Sequence, residues 1–181
     1  KRLVFDEFFL FIMGMQYQKE KRTRQENRFV MEHPEFVEDL IQKLPYELTG
    51  AQRRALHDVT ENMQGPYAMQ RLIQGDVGSG KTILAFLAMA WCAQNGYQSA
   101  IMAPTEVLAQ QHYETFQKLC EQFGLHFPVI LLTGSMTAKQ KRSAYERLEL
   151  YENALIVGTH ALIQEKPTYA NLALVIKDEQ H

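Results

Sequence analysis

From residue 71 onward, short apolar runs alternate with longer stretches in which apolar side chains return every three or four residues. The first pattern is that of strands buried on both faces, the second that of amphipathic helices. The spacing predicts strands over residues 71–74, 99–103, 128–133, 155–158 and 172–177. It predicts helices over residues 81–94, 106–123 and 137–151, with only a short turn near 160–164 after the fourth strand. Such alternation implies parallel strands covered by helices and joined by right-handed crossovers. Before residue 71 the chain reads as helical. Val4, Phe8, Phe11, Ile12 and Met15 repeat at helical spacing and predict a helix over residues 3–26. Pro34 suits the first turn of a second helix running to Leu44. Thr49, with Gln52 three residues on, forms a capping box for a third, which stops near Met63, ahead of Gly65 and Pro66.

Composition adds limits. The 181 residues are enough for one sizeable domain, and 46% hydrophobic with 22% charged residues marks a folded chain rather than a solvated tail. A net charge of −2 argues against gripping nucleic acid by bulk charge, though not through backbone amides and a few placed side chains. The basic run of Lys19, Lys21, Arg22, Arg24 and Arg28 is interleaved with Glu20 and Glu26 and reads as a solvated helix face. Cys92 and Cys120 form no CxxC pair and fall in expected helices, as small buried residues of a reduced compartment would. No cluster has zinc-ligand spacing. The longest apolar stretch, residues 8–15, is too short to span a bilayer. Beginning at Lys1 and ending at His181, two residues after the acidic pair Asp178–Glu179, the chain reads as a piece of a longer one.

Gly75-Asp76-Val77-Gly78-Ser79-Gly80-Lys81-Thr82 satisfies GxxxxGK[ST] in full, between an expected strand and an expected helix. Glycines open backbone conformations closed to other residues, so the loop's N–H groups can converge on phosphate oxygens at a helix start. Lys81 is placed to reach the β- and γ-phosphates of ATP, and Thr82 to ligate Mg²⁺. With average glycine usage near ~7%, the four fixed positions match by chance in well under ~1% of chains this long, which disfavours a ligand-free glycine turn.

The chain closes on Leu174-Val175-Ile176-Lys177-Asp178-Glu179-Gln180-His181, an apolar strand delivering two carboxylates at its C-terminal end. That end is where parallel sheets bind ligands. Asp178 would hold the Mg²⁺ shell and Glu179 would take a proton from an attacking water.

Asp178-Glu179-Gln180-His181 resembles a DExH box, and together with the glycine-rich loop it resembles the first motor domain of a superfamily 2 helicase. Ala103-Pro104-Thr105-Glu106-Val107-Leu108-Ala109-Gln110-Gln111-His112 resembles motif Ia, and Leu132-Thr133-Gly134-Ser135 the motif after it. Val157-Gly158-Thr159-His160-Ala161-Leu162 is similar to the Gly-Thr-His segment of bacterial branched-DNA translocases. Leu48-Thr49-Gly50-Ala51-Gln52 resembles an upstream adenine-reading segment. Phe5-Asp6-Glu7-Phe8-Phe9-Leu10-Phe11 and Gln180 favour the branched-DNA translocases over the transcription-repair coupling ones.

The resemblance implies a RecA-like P-loop NTPase domain of α/β class with a mostly parallel sheet over residues 47–181, after a helical linker segment over residues 1–46. It implies ATP and Mg²⁺ as ligands, branched duplex DNA and a second motor domain as partners, and a bacterial, cytoplasmic, nucleoid-associated setting without a membrane. Thr105, Gly134, Thr159 and His160 would meet the DNA backbone, while Gln180 and His181 would couple the γ-phosphate to DNA. Gln52 would read adenine, in competition with its capping role. Lys177 departs from the pattern, since an apolar or small residue is expected just before the acidic box. Two other readings stand beside this one: a transcription-coupled or replication-restart translocase, and a regulatory nucleotide-binding module with no motor role.

Overall fold

The computed structural model describes residues 25–164 and 167–178. Its elements run α1 (Glu35–Gln42), α2 (Gly50–Gln64), α3 (Lys81–Gln94), β1 (Gln98–Met102), α4 (Glu106–Gln122), β2 (Val129–Leu132), α5 (Ala138–Leu150), β3 (Leu155–Gly158), α6 (Ala161–Gln164) and β4 (Leu172–Lys177). The four strands are parallel, in the order β2-β3-β1-β4. Gly158 lies opposite Leu132 on one side and Met102 on the other, and Met102 lies opposite Lys177. All four strands therefore finish level, at one edge of the sheet.

The chain steps outward from β1 to β2 through α4, then reverses through α5 to β3 and through α6 to β4. With right-handed crossovers, reversing the step moves the covering helix to the other face. Ile101, Leu155 and Val157 accordingly share a core with α1, α2, α3 and α4. Ala100, Met102, Ile130, Leu132 and Ile156 form a second core with Ala144 and Leu148 of α5 and Ala161 and Leu162 of α6. This is a RecA-like α/β arrangement in three layers.

Helix α3 is apolar nearly all round, with Ile83, Leu84 and every residue from Phe86 to Ala93 buried. A helix of this kind belongs inside a protein, and α3 lies between α1 and α2 on one side and the sheet on the other. Thr49 caps α2 with the expected capping box, and Thr105 caps α4 by accepting from the Leu108 N–H at 3.3 Å.

Most of the helix expected over residues 3–26, with its phenylalanine-rich stretch and the basic residues Lys19 to Arg24, lies outside the described residues. Its described end is not helical. The Ala68 N–H donates to the Gln25 carbonyl at 2.8 Å, and Glu26 bridges Tyr67 in antiparallel fashion. Asn27 Nδ2 donates to the carbonyls of Met63 and Gly65, drawing this segment onto the end of α2. Trp91 Nε1 donates to the Glu32 carbonyl at 2.8 Å, and Asn95 Oδ1 accepts from the Glu32 N–H at 2.9 Å. Met31, Val37, Leu40 and Ile41 enter the same core as α3. The described part of the expected linker is thus built into the flank of the domain.

The strand expected over residues 71–74 does not form. Its backbone makes no ladder, Leu72 is 76% exposed, and Arg71 is held instead by Asp58 and Asn62 of α2. A strand exists only where a neighbour supplies its hydrogen bonds. Among the described residues β4 ends the sheet, with nothing paired to its outer edge.

Gln98 opens β1 and is wholly buried. Its Nε2 donates to the carbonyls of Leu148 and Tyr151 at 2.7 and 2.8 Å, and its Oε1 accepts from the Asn171 N–H at 3.0 Å. One amide thereby joins the end of α5 to the start of β4. Gln98→Met should leave the Asn171 N–H unsatisfied and leave the Leu148 and Tyr151 carbonyls only their longer bonds from the Ala170 and Ala154 N–H groups, at 3.3 and 3.4 Å, and so cost about 2 kcal/mol in urea unfolding. An unchanged midpoint would show that these bonds carry no net stability. Among the described residues, no helix is long and apolar enough to cross a membrane.

Candidate nucleotide site and nucleic-acid edge

The glycine-rich loop begins at Gly75 and opens α3 at Lys81. Because α3 leads through a tight turn at Asn95 and Gly96 into β1, it runs against the strands, and its N-terminus lies at the edge where the strands finish. Gly80 precedes the helix with φ 80°, in the left-handed region that favours glycine, and a Cβ there would overlap Gln52 Nε2. A Cβ on Gly75 would stand 2.6 Å from Ser79 Oγ. The Ser79 N–H closes the turn onto the Asp76 carbonyl at 3.0 Å. Val77, at the tip, is 93% exposed.

Two features of the loop suit a phosphate. Lys81 Nζ is folded back onto the loop's own carbonyls, those of Gly75 and, at 3.0 Å, Asp76. An ammonium held only by neutral acceptors is ready to exchange them for an anion. Ser79 Oγ is, alone among the buried side-chain polar atoms of the described residues, without a hydrogen-bond partner. Buried hydroxyls are rarely left so, and a phosphate oxygen would satisfy it. Thr82 follows as the second residue of α3.

Gln52 performs two tasks at once. Its Oε1 accepts from the Thr49 N–H at 2.8 Å as part of the capping box, and its Nε2 donates to the Ser79 carbonyl at 2.8 Å. The cap and the reach towards the nucleotide site therefore do not exclude each other. As it stands, however, the amide grips the loop, and an adenine contact would require it to let go.

Asp178 follows β4. Its N–H donates to the Met102 carbonyl at 2.8 Å, which carries the ladder one residue past the strand. Lys177 lies on the exposed face with Val175, whereas Leu174 and Ile176 pack towards the core. Alternation along the strand thus turns the Lys177 side chain away from the face on which Asp178 sits. The Asp178 carboxylate meets His112, Oδ2 to Nε2 at 2.8 Å. Sequence reasoning gave His112 no role. The signal was there: Ala109, His112, Phe116 and Cys120 form the buried stripe of α4, and His112 is its one polar member. Glu179, Gln180 and His181 lie outside the described residues. Among those described, no group of three or more His, Cys, Asp or Glu side chains could hold a metal ion. Magnesium at nucleotide sites keeps several waters and takes only one or two protein ligands along with phosphate oxygens, so one hydroxyl such as that of Thr82 and one carboxylate such as that of Asp178 would suffice.

Thr105, Gly134 and the pair Thr159–His160 follow β1, β2 and β3, and level strand ends bring all of them to the same edge as Asp178. Thr105, Gly134 and His160 are exposed, and Thr159 is half-buried. Glu106 joins two of these segments, accepting from the Ser135 N–H at 2.9 Å and from the Ser135 hydroxyl. Those bonds, the hydroxyl's first, hold the Glu106 carboxyl below its ordinary pKa. Sequence reasoning had missed this tie as well, since Glu106 and Ser135 stand 29 residues apart.

A family profile described as DEAD/DEAH box helicase matches residues 49–181. The chain is 44% identical over 181 residues to the ATP-dependent DNA helicase RecG of Aquifex aeolicus, covering all of this chain and 23% of that protein. It is 45% identical over 183 residues to RecG of Synechocystis, covering 22% of it. The chain therefore spans about a quarter of the length of these curated relatives. Among solved structures, RecG bound to a three-way DNA junction matches with a TM-score of 0.81 and 38% identity, over 99% of this chain and 24% of that one. A hypothetical ATP-dependent RNA helicase from Sulfolobus tokodaii, at 19% identity and a TM-score of 0.59 over 81% of this chain and 41% of that one, shares the fold. By its sequence over residues 49–181, the chain belongs to the DEAD/DEAH box helicase family.

Proposed function

We propose that this chain is the ATP-binding motor part of a bacterial DNA translocase that couples ATP hydrolysis to the remodelling of branched DNA. The observation that carries the reading is the match, over 99% of the chain, to RecG in the structure of RecG bound to a three-way junction. The motor is assigned to residues 47–181.

In this reading the loop from Gly75 to Gly80 wraps the phosphates with backbone N–H groups, and Ser79 Oγ gains the partner it lacks. Lys81 leaves the carbonyls of Gly75 and Asp76 for the β- and γ-phosphates, while α3 adds its positive end. Thr82 and Asp178 would hold magnesium, which when bound supplies charge neutralisation between the phosphates. Glu179 accepts the proton of the attacking water. Gln52 moves from the Ser79 carbonyl to an adenine edge. The start of α4 at Thr105, with Gly134, Thr159 and His160, contacts DNA phosphates, which positions a strand without reading its sequence. Gln180 and His181 relay the state of the γ-phosphate to DNA and to a second motor domain.

The test compares ATP hydrolysis by the full-length protein on forked DNA, linear duplex DNA and single-stranded RNA. Forked DNA should stimulate most. Equal stimulation by linear duplex would move the assignment to another duplex translocase, and preference for RNA would overturn the substrate.

A further inference from the structure

His112 lies on a helix that starts at an expected DNA contact and touches the carboxylate expected to hold a metal. Its Nε2 is 2.8 Å from Asp178 Oδ2. An ionised carboxylate only accepts hydrogen bonds, so Nε2 carries the hydrogen. Among the described residues, Asp178 Oδ1 receives no hydrogen bond. His112 is 8% exposed, and its ring stacks on Phe116 with centroids 6.0 Å apart and planes 22° apart. Phe116 in turn packs against Phe86 of α3, at 5.6 Å between centroids. The imidazole is thus fixed by an aromatic row that reaches the helix bearing Lys81 and Thr82.

We propose that His112 is a positioning residue for Asp178: it holds Oδ2 in place and leaves Oδ1 as the oxygen offered to a magnesium ion. The inference rests on the nucleotide reading above. Partners of this kind restrict a ligand carboxylate to one orientation, and their loss weakens metal binding without touching the metal. A purely packing role for His112 would predict something else, namely a loss of stability with no special sensitivity to magnesium.

The experiment measures binding of a fluorescent N-methylanthraniloyl ADP by the full-length protein across a magnesium titration and in EDTA. His112→Phe keeps the ring stack and removes the N–H. It should raise the magnesium concentration at half-effect by about tenfold or more, the usual cost of losing such a partner, and leave affinity in EDTA unchanged. His112→Gln, which restores an N–H at similar reach, should recover most of the loss. His112→Leu, checked by thermal melting, repeats the donor-less case should the phenylalanine variant not fold. An unmoved magnesium midpoint in the donor-less variants overturns the proposal, as does an equal shift in His112→Gln or an equal loss in EDTA. If the wild-type protein bound the nucleotide with no magnesium dependence, the proposal would fall while the P-loop assignment stood. If it bound no nucleotide at all, both would fall.

Discussion

Lys81→Ala is expected to bring ATP binding below detection and to lower hydrolysis by at least about 10²–10³-fold, the scale on which a single preorganised donor acts in a reacting site. The Lys81 ammonium is the loop's cation, held by the Gly75 and Asp76 carbonyls, neutral acceptors that a phosphate could replace. Alanine removes the charge that phosphate oxygens would meet, but no part of the core, because α3 is held by the residues after Thr82. The melting temperature should therefore change little while nucleotide titration goes flat. Unchanged affinity for ATP would contradict the assignment of the loop.

The second large effect is expected at Glu179, although its geometry lies outside the described residues. Glu179→Gln in the full-length protein should spare ATP binding and lower hydrolysis by about 10²–10⁴-fold, the contribution of a positioned general base. The amide keeps the size of the side chain and loses its basicity. Binding titration and steady-state hydrolysis, run on the same preparation, separate the two consequences. Hydrolysis that persisted would remove Glu179 from the role of base and return attention to Asp178.

Elements with strong local signals were legible in the sequence. The capping residue Thr49 acts as expected, and the strands from residue 98 onward form within a residue or two of their expected bounds. The loop from Gly75 to Thr82 is self-announcing because its spacing is itself the chemistry. What failed was the strand over residues 71–74: its apolar run carries a strand's local pattern, but pairing depends on a neighbour that no local pattern encodes. The end of the first helix failed for a related reason, since Gln25 and Glu26 are recruited by Ala68 and Tyr67, some 40 residues away. His112–Asp178 and Glu106–Ser135 were invisible for the same cause. Each joins segments brought together only by the sheet, and neither residue type announces its partner. Lys177, which looked like a flaw beside the acidic box, is resolved by the alternation of β4, which puts its side chain on the other face.

The burial of α3 on every side bears on how this protein can change. Most helices have a solvent face where substitutions are nearly free, and α5, with only Ala144 and Leu148 buried, is such a helix. From Phe86 to Ala93, α3 has no such face. Enlarging any of its three alanines there drives a side chain into α1, α2 or the sheet, and trimming Phe86 or Trp91 opens a void. A randomised library of this helix should thus return almost nothing but the starting residues and close isosteres, whether or not selection asks for activity. Variation that adjusts the candidate site is expected to enter through the loops at the sheet edge instead.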